Sequence, residues 1–195
     1  MRNNIKSLLS WFLLIVSIAV LVSSCAKSDD SKTATTDNSS SSSVNCNNGC
    51  FVAVGYSGNI VRSSDNGASW NNSTSPSAIT LQGVTFGNNT FVGVGRFGNI
   101  VRLTDNGSSW ENATSPTSER HIGITFGNNT FVGVGDNGNI VRSTDNGSSW
   151  DNVTSPTADL HPKGVTFGNN TFVAVAEDGK IVRSMDNGSS WDNAT

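Results

Sequence analysis

The chain has 195 residues, of which 12 are lysine or arginine and 15 are aspartate or glutamate, and its formal net charge is −3. The basic residues form no cluster, and this argues against a protein that binds the phosphate backbone of nucleic acids. Two histidines and three cysteines are available as soft metal ligands. No grouping of them supplies a full ligand set, so we predict neither a metal site nor a cofactor.

The beginning of the chain has the pattern of an export signal. Arg2 and Lys6 precede an apolar run from Leu8 to Val22. A run of this length is typical of a signal peptide and is shorter than the roughly 20 residues that a membrane-spanning helix needs. We therefore predict a signal peptide over residues 1–24.

The segment Val22-Ser23-Ser24-Cys25 resembles the lipobox of bacterial lipoproteins, in which an apolar residue and two small residues precede an acylated cysteine. The resemblance implies that Cys25 carries a stable lipid anchor, since two or more acyl chains hold a protein on a membrane. It also implies a location in the bacterial cell envelope, facing the periplasm or the exterior. Because Ala26 and not an aspartate follows, the outer membrane is favoured in a host with two membranes. An ordinary cleaved signal with an unmodified cysteine is the alternative.

A polar segment separates this leader from the rest of the chain. Residues 25–42 are mostly serine, threonine, aspartate and lysine, so they predict a disordered tether that cannot bury enough apolar surface to fold. Cys46 and Cys50 then flank the three-residue hairpin loop Asn47-Asn48-Gly49. We predict a disulfide between them, which the oxidising environment outside the cytoplasm permits. A metal site built on the two cysteines is the weaker alternative.

Four copies of one eight-residue motif organise residues 43–195. The first copy runs from Ser63 to Trp70, and its aspartate recurs at intervals of 40, 40 and 41 residues. At this period each repeat forms one small antiparallel sheet. The four aspartates are Asp65, Asp105, Asp145 and Asp186.

The second repeat shows the strands of one such sheet. Alternating apolar residues predict a first strand through Val84 and Phe86, a turn at Gly87–Thr90 and a second strand over Phe91–Gly95. A third strand follows over Asn99–Leu103, and a polar fourth strand begins at Trp110.

Both faces of the second strand are apolar, so we expect each sheet to be covered on both sides by its neighbours. The predicted fold is an all-β propeller built from four-stranded antiparallel blades. We place these blades at residues 43–75, 83–115, 123–155 and 164–195. Four blades that close alone, two chains that complete a larger ring, and a ring with further blades are the three alternatives.

The eight-residue motif resembles the Asp-box, or BNR repeat, whose pattern is Ser/Thr-x-Asp-x-Gly-x-Thr-Trp/Phe. Three copies keep the opening serine, the second copy has Leu103 instead, and serine replaces the late threonine in all four. The resemblance implies a propeller in which the motif is the turn between the third and fourth strands, and its aspartate, glycine and tryptophan have structural roles. These residues are Asp65, Gly67, Trp70, Asp105, Gly107, Trp110, Asp145, Gly147, Trp150, Asp186, Gly188 and Trp191.

Asp-box propellers include sialidases and photosystem II assembly factors, so the resemblance implies more than one function. We expect a non-catalytic binding or assembly module for a protein or glycan, without catalytic residues. A sialidase-like glycoside hydrolase and a photosystem II assembly factor-like protein are the alternatives. A sialidase-like site needs three arginines, and only Arg96 and Arg120 are unrepeated within the array. Turnover of a fluorogenic sialoside that Tyr56→Phe abolishes would favour the hydrolase.

Sequence differences between the repeats concentrate in the second turn of each blade and in the loop between blades. In an up-and-down sheet these segments lie on the same face of the propeller. We therefore predict one binding face, and we leave homo-oligomer formation open. His121 and His161 within it could also share a metal. The candidate residues of this face are Tyr56, Arg96, Phe97, Glu119, Arg120, His121, Asp159, His161 and Lys163.

Overall fold

The computed structural model describes residues 50–104, 109–157 and 160–194. The predicted signal peptide, lipid anchor and tether therefore lie outside the described residues. The same holds for Cys46, Asp105, Gly107 and Asp159. Among the described residues no helix is long and apolar enough to cross a membrane.

In the described residues, fifteen strands form four antiparallel sheets in chain order. The first sheet holds three described strands, and each of the others holds four. The strands are β1 (Phe51–Val54), β2 (Ile60–Ser63), β3 (Asn71–Ser73), β4 (Leu81–Gly87), β5 (Thr90–Gly95), β6 (Ile100–Thr104), β7 (Glu111–Ala113), β8 (His121–Gly127), β9 (Thr130–Gly135), β10 (Ile140–Ser143), β11 (Asp151–Val153), β12 (Pro162–Gly168), β13 (Thr171–Ala176), β14 (Ile181–Ser184) and β15 (Asp192–Asn193).

The sheets stack face to face as the blades of a propeller, which confirms the predicted fold class. Strand β4 packs beside β8, and β8 packs beside β12. These first strands lie along one edge of the stack, because each sheet continues outward from its first strand to its last. Sequentially adjacent strands pair throughout, so every connection within a sheet is a short hairpin.

Local sequence explains the first hairpin of each sheet. Asn88 and Asn89 adopt φ angles of 45° and 56°, and asparagine tolerates this left-handed region better than most residues. The turn sets a register in which Phe86 lies opposite Phe91. Their rings are 4.6 Å apart between centroids, so the aromatic pair stabilises the hairpin as it forms.

The first strands begin two residues earlier than the sequence predicted. They start at Leu81, His121 and Pro162, and a register shift follows directly, for example between Leu81 and Gly83. A β-bulge of this kind places one extra residue in the strand and interrupts the alternation of side chains. Sequence periodicity therefore missed this end of each strand.

One hydrophobic cluster fills each of the three gaps between successive sheets. Between the second and third sheets, Val92, Val94 and Ile100 pack against Phe131 and Trp150. Fully burying one such side chain contributes roughly 1.5–3 kcal/mol. Sheet-to-sheet packing is therefore the main source of stability in the array.

The eight-residue motif forms the same compact turn wherever the structure describes it fully. In the third sheet Asp145 accepts hydrogen bonds from the backbone N–H and the hydroxyl of Ser149, at 2.9 and 2.6 Å. The Ser143 hydroxyl donates to Asp145 and accepts the backbone N–H of Gly147. Trp150 folds back and donates its indole N–H to the Gly147 carbonyl at 3.0 Å. The motif thus satisfies its own polar groups while its tryptophan enters the core.

The same bonds lower the pKa of the motif aspartates. In the fourth sheet, hydrogen bonds from Ser190 and then from Ser184 lower the pKa of Asp186 from 3.8 to about 2. A carboxylate whose pKa is lower in the folded state stabilises the fold above its unfolded pKa. That contribution is lost as the pH falls from 3.8 toward 2.

We expect Asp186→Asn to lower the free energy of unfolding by about 1 kcal/mol at neutral pH, a value that allows for solvent screening of this exposed group. The difference from the wild type should shrink as the pH falls from 3.8 toward 2, where the wild-type carboxylate also becomes neutral. Urea unfolding followed by tryptophan fluorescence measures both effects. Asp192→Asn, at an exposed aspartate of β15, is the matched control. An equal loss in that control would contradict the role of the motif.

Candidate binding face

The second turns and the loops between sheets meet on one side of the stack, which we call the turn face. Each second turn is a short 3₁₀ turn, at Tyr56–Gly58, Arg96–Gly98, Asp136–Gly138 and Glu177–Gly179. In the second, third and fourth sheets the first residue of the turn donates its backbone N–H to the loop that precedes the same sheet. Asp136 donates in this way to the Arg120 carbonyl at 2.9 Å. The predicted grouping of turns and loops is therefore present in the fold.

Phe97 is the most unusual residue of the turn face. Its side chain is 74% exposed, and its backbone has a φ of 55°. A bulky side chain at positive φ is a steric outlier that costs on the order of 1 kcal/mol. The equivalent position in the next sheet is Asn137, with a φ of 57°, which accepts this conformation more easily. Because the side chain of Phe97 is mostly exposed, its packing does not offset the conformational cost of the positive φ angle.

Tyr56 and Arg96 occupy equivalent positions in neighbouring second turns, and both are exposed. Tyr56 is 65% exposed and lines a cleft of about 390 Å³. The cleft lies between the second turn of the first sheet and the loop that leaves that sheet. Its lining residues are Tyr56, Ser57, Gly58, Asn59, Ser73, Ser75, Pro76, Ser77 and Ala78.

In the third sheet the charged residues of the turn face pair with each other. Arg120 makes a bidentate salt bridge with Asp136, with both N–O distances at 2.8 Å. The hydrogen bond from Arg120 holds the pKa of Asp136 below its usual value, with smaller contributions from the charges of His161 and Lys163. The guanidinium of Arg120 is therefore already paired with a carboxylate of the same repeat.

One further hydrogen bond and one further salt bridge connect a second turn to the loop or the first strand beside it. The Asn137 side chain donates to Glu119 at 3.0 Å. The Lys163 ammonium lies 2.5 Å from Glu177 and lowers the pKa of that carboxyl through their hydrogen bond. Asp136, Asn137 and Glu177 were not among the predicted residues of the binding face. Pairing each second turn with the start of the first strand of the same repeat would have revealed these partners.

His121 does not lie on the turn face, which corrects the prediction. It is the first residue of β8, and its side chain is fully buried. The β-bulge turns this residue inward, where the second sheet has Leu81. Ser115 lies 3.3 Å from the Nε2 atom of the ring, whereas Nδ1 has no hydrogen-bond partner among the described residues. Burial lowers the pKa of His121 from 6.5 to about 4, so the ring is neutral at pH 7.

The other candidate residues that the structure describes are at least partly exposed. His161 is exposed in the loop before β12, and Lys163 is exposed within β12 and not in the loop that was predicted. Because His121 is buried and His161 is exposed, the two histidines do not form a common surface site. Within residues 50–104, 109–157 and 160–194, no three metal-ligating side chains lie together.

This geometry defines a class of protein: a stack of propeller blades with one variable, aromatic and charged end. No protein-family model and no curated protein matches the chain. A solved structure described as "YCF48 bound to D1 peptide" is similar, with a TM-score of 0.60 and 20% sequence identity, and the match covers 76% of this chain and 52% of that one. A second, "YCF48 from Cyanidioschyzon merolae", is 25% identical with a TM-score of 0.49, and covers 58% of this chain and 36% of that one.

The first of these structures shows that the chain shares the fold of a propeller. The chain spans about half the length of that similar protein.

We expect His121 to make the fold sensitive to acid. Between pH 6.5 and about 4 the unfolded chain binds a proton that the folded chain does not, so the free energy of unfolding decreases as the pH falls. The full contribution amounts to about 3 kcal/mol. His121→Leu, which introduces the residue of the second sheet, should remove this contribution. Urea unfolding of both proteins at several pH values between about 7 and 4 measures it. Parallel curves for the two proteins would contradict this expectation.

Proposed function

We propose that the chain is a non-catalytic binding or assembly module whose turn face holds an extended segment of another protein. The exposed aromatic ring of Phe97 on a strained backbone is the observation that carries the proposal. Strained residues persist where a function requires them, and exposed aromatic residues and arginines are the commonest anchors of protein interfaces. Here the strained residue and an arginine are consecutive, Arg96 and Phe97.

The pairing of charges on this face indicates which chemistry a partner would bring. Arg120 and Lys163 already form salt bridges with Asp136 and Glu177. Arg96 makes no salt bridge with any residue that the structure describes. An unpaired guanidinium beside an exposed ring suits a segment that carries a carboxylate next to an apolar side chain.

The similarity in fold to a propeller described as bound to a peptide supports a protein segment as the ligand of this chain, in preference to a glycan. Tyr56 lies at the position of Arg96 on the neighbouring sheet and lines the cleft there. An extended segment that crosses both sheets would contact Phe97, Arg96 and Tyr56 in succession. Backbone groups of the 3₁₀ turns would then supply the hydrogen bonds that an extended peptide needs.

Phe97→Asn should separate stability from binding. The asparagine matches Asn137 of the third sheet and relieves the backbone strain, so we expect the free energy of unfolding to rise by about 0.5–1 kcal/mol. Peptides selected from a phage-displayed random library on the full wild-type chain should bind this variant at least about tenfold more weakly. Fluorescence anisotropy with the selected peptides measures affinity, and urea unfolding measures stability.

Arg96→Met and the control Met185→Ala complete this experiment. Met185 is similarly exposed, at 63%, but belongs to the motif turn at the opposite end of the sheet. Arg96→Met should weaken binding and favour peptides without an acidic residue, whereas Met185→Ala should change nothing. If the selection yields no peptide, or if its peptides bind the Phe97 and Arg96 variants normally, the proposal is wrong.

We propose further that this module is exported and held on a membrane of the bacterial cell envelope through Cys25, and that its motif is an Asp-box. The lipobox-like segment and the polar tether that follows it support the anchor. The hydrogen bonds of Asp145 and Asp186 within their turns support the motif.

Cys25→Ser should abolish the incorporation of radiolabelled palmitate and move the protein from the membrane fraction to the soluble fraction of a bacterial host. The reason is that the serine offers no thiol for acylation. Cys50→Ser is the control, because that cysteine lies within the folded array, where it takes part in a disulfide. Its predicted partner Cys46 lies outside the described residues. Palmitate labelling that persists in Cys25→Ser would exclude the anchor.

A further inference from the structure

Two sheet faces in the described part of the chain are apolar and uncovered. On the first sheet, Trp70 is 39% exposed, whereas the tryptophans at the same position in the other three sheets are at most 7% exposed. On the fourth sheet, Val175 and Ile181 are 47% and 38% exposed, whereas their equivalents Val134 and Ile140 are fully buried. The same residues are thus core residues in one sheet and surface residues in another.

These two faces carry residues of the two kinds that meet in the three internal interfaces of the chain. In each internal interface the earlier sheet contributes two valines and an isoleucine. The later sheet contributes a phenylalanine, a valine and the motif tryptophan, together with apolar residues of its first strand or of the loop before that strand. The uncovered face of the fourth sheet is of the earlier kind, with Val173, Val175 and Ile181. The face of the first sheet that carries Trp70 is of the later kind, with Phe51 and Val61 partly exposed beside the tryptophan.

The motif turn fits closely against the preceding sheet in these interfaces. A methyl of Val92 lies 3.1 Å from the position that a Cβ atom on Gly147 would take, and a methyl of Val132 lies 2.9 Å from that position on Gly188. Only glycine permits this approach, because any side chain would displace the valine. Gly67, in the first sheet, has no such neighbour within 4 Å. The residue that would complete the contact is Val173 of the fourth sheet.

Polar groups repeat the same pattern. Asn88 donates to the Asn146 side chain of the next sheet at 3.2 Å, and Asn128 donates to Asn187 at 3.2 Å. The equivalent pair across the uncovered faces is Asn169 of the fourth sheet and Asn66 of the first, and both residues are exposed.

An arginine adds a second polar contact to this pattern. Arg102 donates to the Asn146 carbonyl at 3.2 Å and to the Ser148 hydroxyl at 2.6 Å. The equivalents on the uncovered faces are Arg183 and, at the position of the serine, Ala68, and both are exposed. The two faces therefore match in apolar packing, in the asparagine pair and in the position of the arginine, whereas the bond to the serine hydroxyl has no counterpart at Ala68.

We propose that a second copy of this chain docks its first sheet on the fourth sheet of the first copy, through a further repeat of the internal interface. Because each copy presents both halves, two copies can form two such interfaces and close a ring of eight sheets. A head-to-tail interface closes in this way when its rotation divides a full turn, and eight blades lie within the known range of propellers.

The first test is the mass of the full chain, extracted in detergent from a bacterial host and measured by light scattering with the detergent contribution subtracted. We expect a dimer. Val175→Asp places a charge in the centre of the proposed interface and should give a monomer with an unchanged circular dichroism spectrum. Phe97→Asp is the matched control, since it adds the same charge at an exposed apolar residue of the turn face, and it should remain a dimer.

A charge exchange tests the head-to-tail arrangement itself. Ala68→Arg leaves the isolated fold intact because Ala68 is exposed, but it opposes Arg183 of the second copy. We expect at least about tenfold weaker dimerisation. Adding Arg183→Glu to Ala68→Arg should restore the dimer.

Mixing the two single variants tests most specifically whether the first sheet of one copy binds the fourth sheet of the other. Val175→Asp keeps an intact first sheet, and Ala68→Arg keeps an intact fourth sheet, so an equimolar mixture should form a dimer through one interface. A wild-type protein that is monomeric would overturn the proposal. Sheets other than those of a second copy would then have to cover these faces. A dimer that survives both single variants, or a mixture that stays monomeric, would equally overturn it.

Discussion

The contact of the motif turns of the third and fourth sheets with the preceding sheet is the interaction on which the rest of this structure depends. A glycine such as Gly147 brings the turn within van der Waals distance of Val92, and Trp150 beside it closes the same gap. The aspartate makes this possible because it satisfies the polar groups of the turn internally. A turn that needed water for its hydrogen bonds could not lie against an apolar sheet without a large desolvation cost.

This arrangement divides the molecule into a packing end, which the repeats share, and a variable end. The four repeats of this chain have the same motif turns and apolar faces. The second turns lie at the opposite end of each sheet and contribute no side chain to the three hydrophobic clusters. They can therefore carry Tyr56, Arg96, Asp136 or Glu177 at one position without disturbing the core. A strained residue such as Phe97 is tolerated there because the sheets on either side hold the turn in place.

Repetition makes the array predictable and also limits what can be predicted. The Asn-Asn turns, the apolar alternation and the period of 40 residues were sufficient to predict the sheets and their stacking. The bulge at the start of each first strand was missed because it breaks the alternation that reveals a strand. The burial of His121 and the salt bridge between Arg120 and Asp136 both follow from that bulge and the turn beside it. Neither can be derived from a list of charged residues in variable segments.

The sequence by itself determined the all-β class, the number of repeats, the strand order within each sheet and the end of the stack at which the repeats differ. These properties depend on local rules, namely the turn preferences of asparagine and glycine and the two-residue period of a strand. Only the tertiary structure decided which side chains are free. It paired Arg120 and Lys163 with carboxylates, buried His121, left Phe97 and Arg96 exposed, and uncovered the outer faces of the first and fourth sheets. The physical reason is that exposure and ion pairing depend on neighbours from other strands and sheets, and their distances are set by packing.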